Sequence, residues 1–461
     1  MTGVPLDGPE AVSELGRDHV RDIATRKVAA LLLAGKVAGL LRTAVAARTL
    51  GVTGFADSYV AANSVPNVLV DVLATGATNG AVVPLQAAAI AHGHQDEADT
   101  AVSALLTWVV LVTMPVTVVA ILARHQLASA LLGASRNPAE VGAASRMLVV
   151  LLLQIPLYAV GVILASVLQA RRKFTGPAIA PLLSSAVVTA TYVLFALVSR
   201  GREIGAVSRA HELLLTVGTT LGVVALTLPL LIPLRGSGFH FVPSLHLPRG
   251  QLGAMSRLGA AGAIALLAQQ ASTVVMLRLA AHSPGGVVVI TLAMTIVMLP
   301  FAVIAVPLAT TALPDLSADH ALGALDAFSR VRRQAIGRGA ALSAGAAALV
   351  AATSPVVAWV LLKSTPGEQV EVGRLALTVA LGAPAVVGLT ICHLLSRGMY
   401  AQGRWRAAGA GSSVGWVLTM AADLVLVSVV HDSSRVPMLG LGLTVGFTAG
   451  AIALLLVERI R

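Results

Sequence analysis

Apolar residues run through this chain in long blocks separated by short polar connections. Twelve blocks reach membrane-spanning length: 28–50, 57–90, 101–123, 143–170, 176–199, 211–234, 251–281, 286–313, 337–363, 371–396, 405–430 and 436–458. Several exceed the ~20 residues a helix needs to cross a bilayer, so tilt or protrusion beyond the membrane is expected. Two blocks carry a second pattern. In 57–90, Asp57, Ser64, Asn67, Asp71, Thr75 and Thr78 fall on one stripe of an ideal helix that is otherwise Val, Leu and Ala. Hydroxyls and amides at such positions also serve helix–helix hydrogen bonding. Two aspartates on the same stripe favour a water-filled cavity, because an ionised side chain at membrane depth costs about 3 kcal/mol on insertion scales. In 28–50, Lys36, Arg42 and Arg48 are spaced six apart, which turns each about 120° from the next around a straight helix. They do not share a face unless the helix bends. Arg48, three residues before Gly51, can snorkel to the interface. Arg42, in mid-block, has no such escape and is the strongest cavity candidate.

Composition fixes the class. With 56% hydrophobic and 11% charged residues and a mean hydropathy of +0.86, this is an all-α polytopic membrane protein rather than a soluble one. The single cysteine, Cys392, excludes an internal disulfide and a cysteine metal site. Residues 1–27 are polar and lack the short apolar core and cleavage site of a signal peptide, so the first block is expected to act as the insertion signal. The net charge of +11 is spread over short loops between apolar blocks. It reads as membrane topology, not as a nucleic-acid surface. With the N-terminus inside, sixteen loop Lys and Arg fall on the inner side and six on the outer, a positive-inside bias that places both termini in the cytoplasm.

The connection 235–250, RGSGFHFVPSLHLPRG, divides the chain into 28–234 and 251–461, six blocks each. The halves repeat. Leu168-Gln-Ala-Arg-Arg-Lys-Phe174 is similar to Met399-Tyr-Ala-Gln-Gly-Arg-Trp405, 231 residues later, and Pro66 answers to Pro300, 234 later. A nearly constant offset argues for duplication. An even number of spans per half makes it a parallel repeat, so two six-helix bundles around a central cavity are expected. Pro66 and Pro300 break the hydrogen-bond ladders of corresponding helices and are candidate gate kinks.

No hydrolytic or transfer chemistry can be assembled, so an enzyme is not expected. Histidines 92, 94, 125, 211, 240, 246, 282 and 431 sit near block ends or in loops without metal-ligand spacing. A Walker-type phosphate loop is missing, which excludes ATP as the direct energy source and leaves Na+ or H+ as candidate coupling ions. Asp71 and Asp423, both intramembrane carboxylates, are the candidates to carry such an ion.

The opening stretch resembles the MurJ (MviN) family, lipid-linked peptidoglycan precursor flippases within the MATE-like exporter superfamily. The residues that carry the likeness are Gly39-Leu-Leu-Arg42, Ala47-Arg48-Thr-Leu-Gly51, Ala56-Asp57, Pro66-Asn67, Gly76-Ala77 and Val83-Pro84. It extends through Arg172-Lys-Phe-Thr-Gly-Pro, Leu299-Pro-Phe-Ala-Val, Leu308-Ala-Thr-Thr-Ala-Leu-Pro-Asp-Leu-Ser317 and Leu395-Ser-Arg-Gly-Met-Tyr-Ala401. There are departures. Val70-Asp71 and Thr75 stand where the family has a basic pair and a glutamate. Met294-Thr295 replaces an Asp-Arg, and the chain ends at Arg461 without counterparts of the helices that form the family's tail groove. The resemblance implies flipping of an anionic, polyprenyl-linked cell-wall precursor from the inner to the outer leaflet by alternating access. Lys36, Arg42, Arg48, Asp57, Asn67 and Asp71 would line its cavity. The partners implied are the lipid-linked precursor and membrane lipids, with no cofactor and a monomer as the working unit. Two other readings stay open: an ion-coupled efflux antiporter for a small amphiphile or secreted metabolite, and a non-transporting membrane scaffold.

Overall fold

A backbone crossing a bilayer must satisfy its N–H and C=O groups within itself, and helices do this segment by segment. In the computed structural model every regular element among the described residues is helical. These residues are 30–31, 34–72, 95–133, 137–171, 173–199, 208–245, 252–363, 368–430 and 434–459. The first series is α1 (residues 34–50), α2 (Gly54–Val70), α3 (Gln95–Leu122), α4 (Arg124–Leu132), α5 (Pro138–Leu151), α6 (Gln154–Ala170), α7 (Thr175–Val198), α8 (Arg209–Thr227) and the short α9 (Leu231–Arg235). The second is α10 (Leu252–Ala280), α11 (Gly286–Pro300), α12 (Val306–Ala321), α13 (Leu325–Leu362), α14 (Glu368–Gly382), α15 (Ala385–Ala401), α16 (Trp405–Ser428) and α17 (Arg435–Arg459). Among the described residues nine helices are long and apolar enough to cross a membrane, or ten if the bent pair α5–α6 is one span. These correspond to the third to twelfth predicted blocks. The first two blocks run over residues outside the described ones, as do Thr75, Thr78 and the segment 1–27.

Helices of each series pack mainly on one another: α7 on α8 and α2 on α5 in the first, α16 on α17 and α10 on α16 in the second. The series meet where α2 touches α11 and α4 touches α10. Lipid is as apolar as leucine, so helix contacts in the membrane depend on close packing through small residues. The α16–α17 seam is built this way: a Cβ on Gly446 would lie 2.3 Å from the Thr419 backbone nitrogen. Leu122, Ile232 and Val429 are exposed on the outer surface.

Three local features differ from the block pattern. Helix α13 has 38 residues and starts at Leu325, twelve residues before its predicted block. Its first three turns carry Arg330, Arg332 and Arg333, good helix formers without a breaker among them, so the helix outruns the hydrophobic window that marked it. At about 57 Å it is nearly twice the ~30 Å hydrocarbon core. Helix α4 occupies what reads as a plain loop. The connection after α9 is strapped to α3: the His240 and Val242 amides donate to Asp99 and Ser103 (3.0 and 3.1 Å), and Trp108 Nε1 donates to the Leu245 carbonyl (3.1 Å).

Pro300 stands where its helix changes pitch, and Pro66 lies five residues before such a change. Pro66 lies inside α2, which passes into a π-helical turn at residues 71–72. Pro300 ends α11, and Phe301–Ala305 is π-helical. Each proline lacks the N–H for the regular ladder, and at Pro300 a wider turn follows directly.

Candidate functional site

A cavity of about 640 Å³ lies between the two series. Arg42 and Thr43 of α1 and Asn63, Ser64 and Asn67 of α2 form its wall on the first side. On the other side stand Gln269 and Thr273 of α10, Thr291 and Thr295 of α11, His393 of α15 and Trp416 of α16. Arg42 is half-buried. Its charge reaches Tyr59, Tyr158 and Tyr192, and the Tyr59 and Tyr192 hydroxyls are themselves paired at 3.0 Å. None of the ion pairs among the described residues engages Arg42. A guanidinium offers five donors in a planar fork, and here it is half-buried with no carboxylate in an ion pair with it among the described residues.

The other candidates occupy different places. Asn67 lines the cavity. Asp57 is fully buried, but it sits at the end that the charge bias assigns to the outside, about 15 Å along α2 from Asn67. There its carboxylate accepts from the backbone amides of Gly285 (2.7 Å) and Val288 (3.1 Å), at the start of α11. Gly285 has φ +76°, and a Cβ on it would lie 2.1 Å from Val52. Only glycine permits both this turn and this approach. Arg48, exposed, donates through Nε to the Val360 carbonyl at 3.2 Å, and through Nη2 as well. Val360 is in the last turn of α13, where carbonyls lack intrahelical partners. Asp57 and Arg48 thus tie the two series together at one end. Asp71, one helical turn past Asn67, accepts from Gln270 Nε2 of α10 at 2.6 Å. Lys36 is exposed. The six-residue spacing of Lys36, Arg42 and Arg48 does lead to three separate environments.

Asp423 lies in α16, fully buried, and neither carboxylate oxygen has a hydrogen-bond partner among the described residues. Gly442 of α17 makes room for it, since a Cβ there would lie 2.0 Å from Oδ1. Thr419 Oγ1, one turn earlier, and Ser272 Oγ of α10 are also buried without partners. Orphaned buried oxygens are costly, and oxygen atoms are what a hard cation binds.

Sequence reasoning passed over Gln270 and His393. His393 carried a signal, because it stands inside an apolar block as Arg42 does. Gln270 carried none, because its partner is 199 positions away.

A model of the lipid II flippase MurJ family matches residues 46–459. The chain belongs to that family. Solved structures agree in fold. The lipid II flippase MurJ in an inward closed conformation superposes with a TM-score of 0.75 at 16% identity, covering 94% of this chain and 87% of that one. An inward-facing multidrug resistance MATE family transporter of the MOP superfamily gives 0.76 at 18%, covering 94% and 98%. A MOP superfamily transporter from Pyrococcus furiosus, noted for a reversed polarity of its binding pocket, gives 0.69 at 17%, covering 94% and 94%. At these identities the likeness concerns the fold alone. As a family member the chain is a multi-pass membrane protein of a transporter class.

Proposed function

We propose that this chain flips an anionic, polyprenyl-diphosphate-linked precursor of the lipid II type from the inner to the outer leaflet of the cell membrane. The observation that supports it most is Arg42: a cation on the wall of a membrane-embedded cavity, free of any ion pair among the described residues. Its fork suits two oxygens of a diphosphate. Lys36, exposed about 9 Å along α1 from Arg42, meets the headgroup first. The lobes 28–234 and 251–461 rock about the linker 235–250, the tie at Asp57 and Arg48 being the contact that must open for release. The protein works as a monomer.

The coupling ion is held at Asp423 rather than Asp71, because Asp71 already accepts from Gln270 whereas the Asp423 oxygens have no hydrogen-bond partner among the described residues. The purified chain in vesicles should flip lipid II without ATP when a Na+ or H+ gradient is imposed. Asp423→Asn should flip at the ungradiented rate under either gradient. Flipping that halts on removal of ATP alone would refute this coupling. Failure to flip lipid II under any gradient would refute the function.

A second reading, ion-coupled export of a small amphiphile, draws on the cavity walls, whose only titratable lining residues among those described are Arg42, Cys392 and His393. The same vesicles separate the two, since an exporter moves a small amphiphile and leaves lipid II in place.

Both termini lie in the cytoplasm on this reading. Reporter fusions at Gly201 and Pro366 should be external and those at Gly238 and Gly323 internal. Reversal at any two would overturn the orientation.

A further inference from the structure

Among the described residues, the second half of the molecule presents one titratable nitrogen base to the cavity, His393 of α15. Its Nε2 is buried and has no hydrogen-bond partner among the described residues. The ring stands nearly perpendicular to Phe301, with centroids 5.3 Å apart. Phe301 begins the π-helical turn after Pro300, so that turn supplies the ring against which the imidazole rests. A neutral imidazole needs a donor and an acceptor contact to be satisfied, and one of its nitrogens here has none. An unpaired nitrogen beside a cavity that faces Arg42 is placed to meet a ligand.

We propose that His393 is the cargo contact of the second lobe: its imidazole is protonated as cargo binds and donates to a diphosphate oxygen that Arg42 holds from the first lobe. The inference rests on the flippase reading and assigns the residue that makes binding span both lobes. A clamp of this kind ties occupancy to lobe closure, because neither wall alone supplies both donors.

Charged groups stand around His393 on its own helix and on the elements packed against it. Arg42 faces it across the cavity, and Arg397 lies one turn further along α15, within electrostatic reach. Helices α11, α12, α13, α16 and α17 and the π turn pack against α15. Helix α11 and the π turn carry no charge. The charges of α12 (Asp319, His320) and α13 (Asp326, Arg330, Arg332, Arg333, Arg338) lie toward the end that the charge bias assigns to the inside. So do Arg406 of α16 and Glu458 and Arg459 of α17, while Asp423 of α16 and Arg435 of α17 lie toward the other end. Lipid II is a diphosphate diester that keeps its charge across the histidine range, so a pH effect on binding reports the protein.

The test is lipid II binding to the full chain in nanodiscs at about pH 5.5 and about pH 8, with uncharged polyprenol as the control. The wild type should bind lipid II about tenfold more tightly at the lower pH and take up a proton as it binds, while polyprenol binding stays flat. His393→Gln should be flat at the weaker affinity, and His393→Arg flat at the tighter one. A pH effect that survives in His393→Gln, or wild-type binding without proton uptake, overturns the proposal. The proton measurement needs no variant to fold. If Arg42→Ala loses lipid II while His393→Gln binds as the wild type does, only this inference falls. If lipid II binds no better than polyprenol in the wild type, the flippase reading falls with it.

Discussion

Arg42→Ala is expected to abolish lipid II flipping while leaving a folded, membrane-inserted protein. The guanidinium lines the cavity and takes part in none of the ion pairs among the described residues, so its removal breaks no structural bridge there. A desolvated charge pair between Arg42 and a diphosphate is a different matter. Truncating one partner of such a pair costs about 2–5 kcal/mol, or from about thirtyfold to several thousandfold in affinity. Arg42→Lys should recover part of this, because an ammonium keeps the charge but loses the planar fork. Asp71→Asn serves as the contrast. Asp71 accepts from the Gln270 amide, and asparagine keeps an acceptor oxygen for that bond, so flipping should be retained or improved as negative charge leaves the vicinity of the cargo. Vesicle flipping of lipid II, with surface expression and melting checked for each variant, measures all three. Full activity in Arg42→Ala would defeat the flippase mechanism.

The sequence made the helices legible because a bilayer imposes one rule on every segment, and block length alone satisfies it. It did not mark where helices end outside the membrane, since the Arg-rich start of α13 is as good a helix former as its core. Arg42 was legible for the same reason, an ion placed where only a cavity tolerates it. The missing N–H at Pro66 and Pro300 was legible too, being a property of the residue itself. Asp57 shows the limit. A helical stripe tells which residues share a face, and Asp57 does share one with Asn67. It does not tell what lies opposite at each depth. There the partner is the start of α11, more than 220 positions later, and no local pattern announces it. His393 was readable in principle, as an ionisable group inside an apolar block.

Asp57→Asn is expected to open the end of the molecule that Asp57 now ties shut. The carboxylate is fully buried and accepts from two backbone amides, Gly285 and Val288, at the positive end of α11. Charge-assisted bonds of this kind are worth more than neutral ones, and they exist only while the two series are in contact at this end. In an opened state the carboxylate meets water and α11 loses its partner. The bonds therefore weight the closed state by about 2–4 kcal/mol, and removing the charge should move the closed-to-open ratio by about thirtyfold or more. Asp57→Ala should act more strongly, because it leaves two amides without an acceptor. Arg48→Ala should act less, since Arg48 is exposed and a cation at a helix C-terminus contributes about 0.3–1 kcal/mol. Spin labels at His125 and Lys363, both exposed and one on each series, in a Cys392→Ser background read the separation directly. The wild type should give one short distance, Asp57→Asn a second and longer one, and Arg48→Ala a small admixture of it. Distance distributions identical to the wild type in both Asp57 variants would show that this contact does not govern the opening.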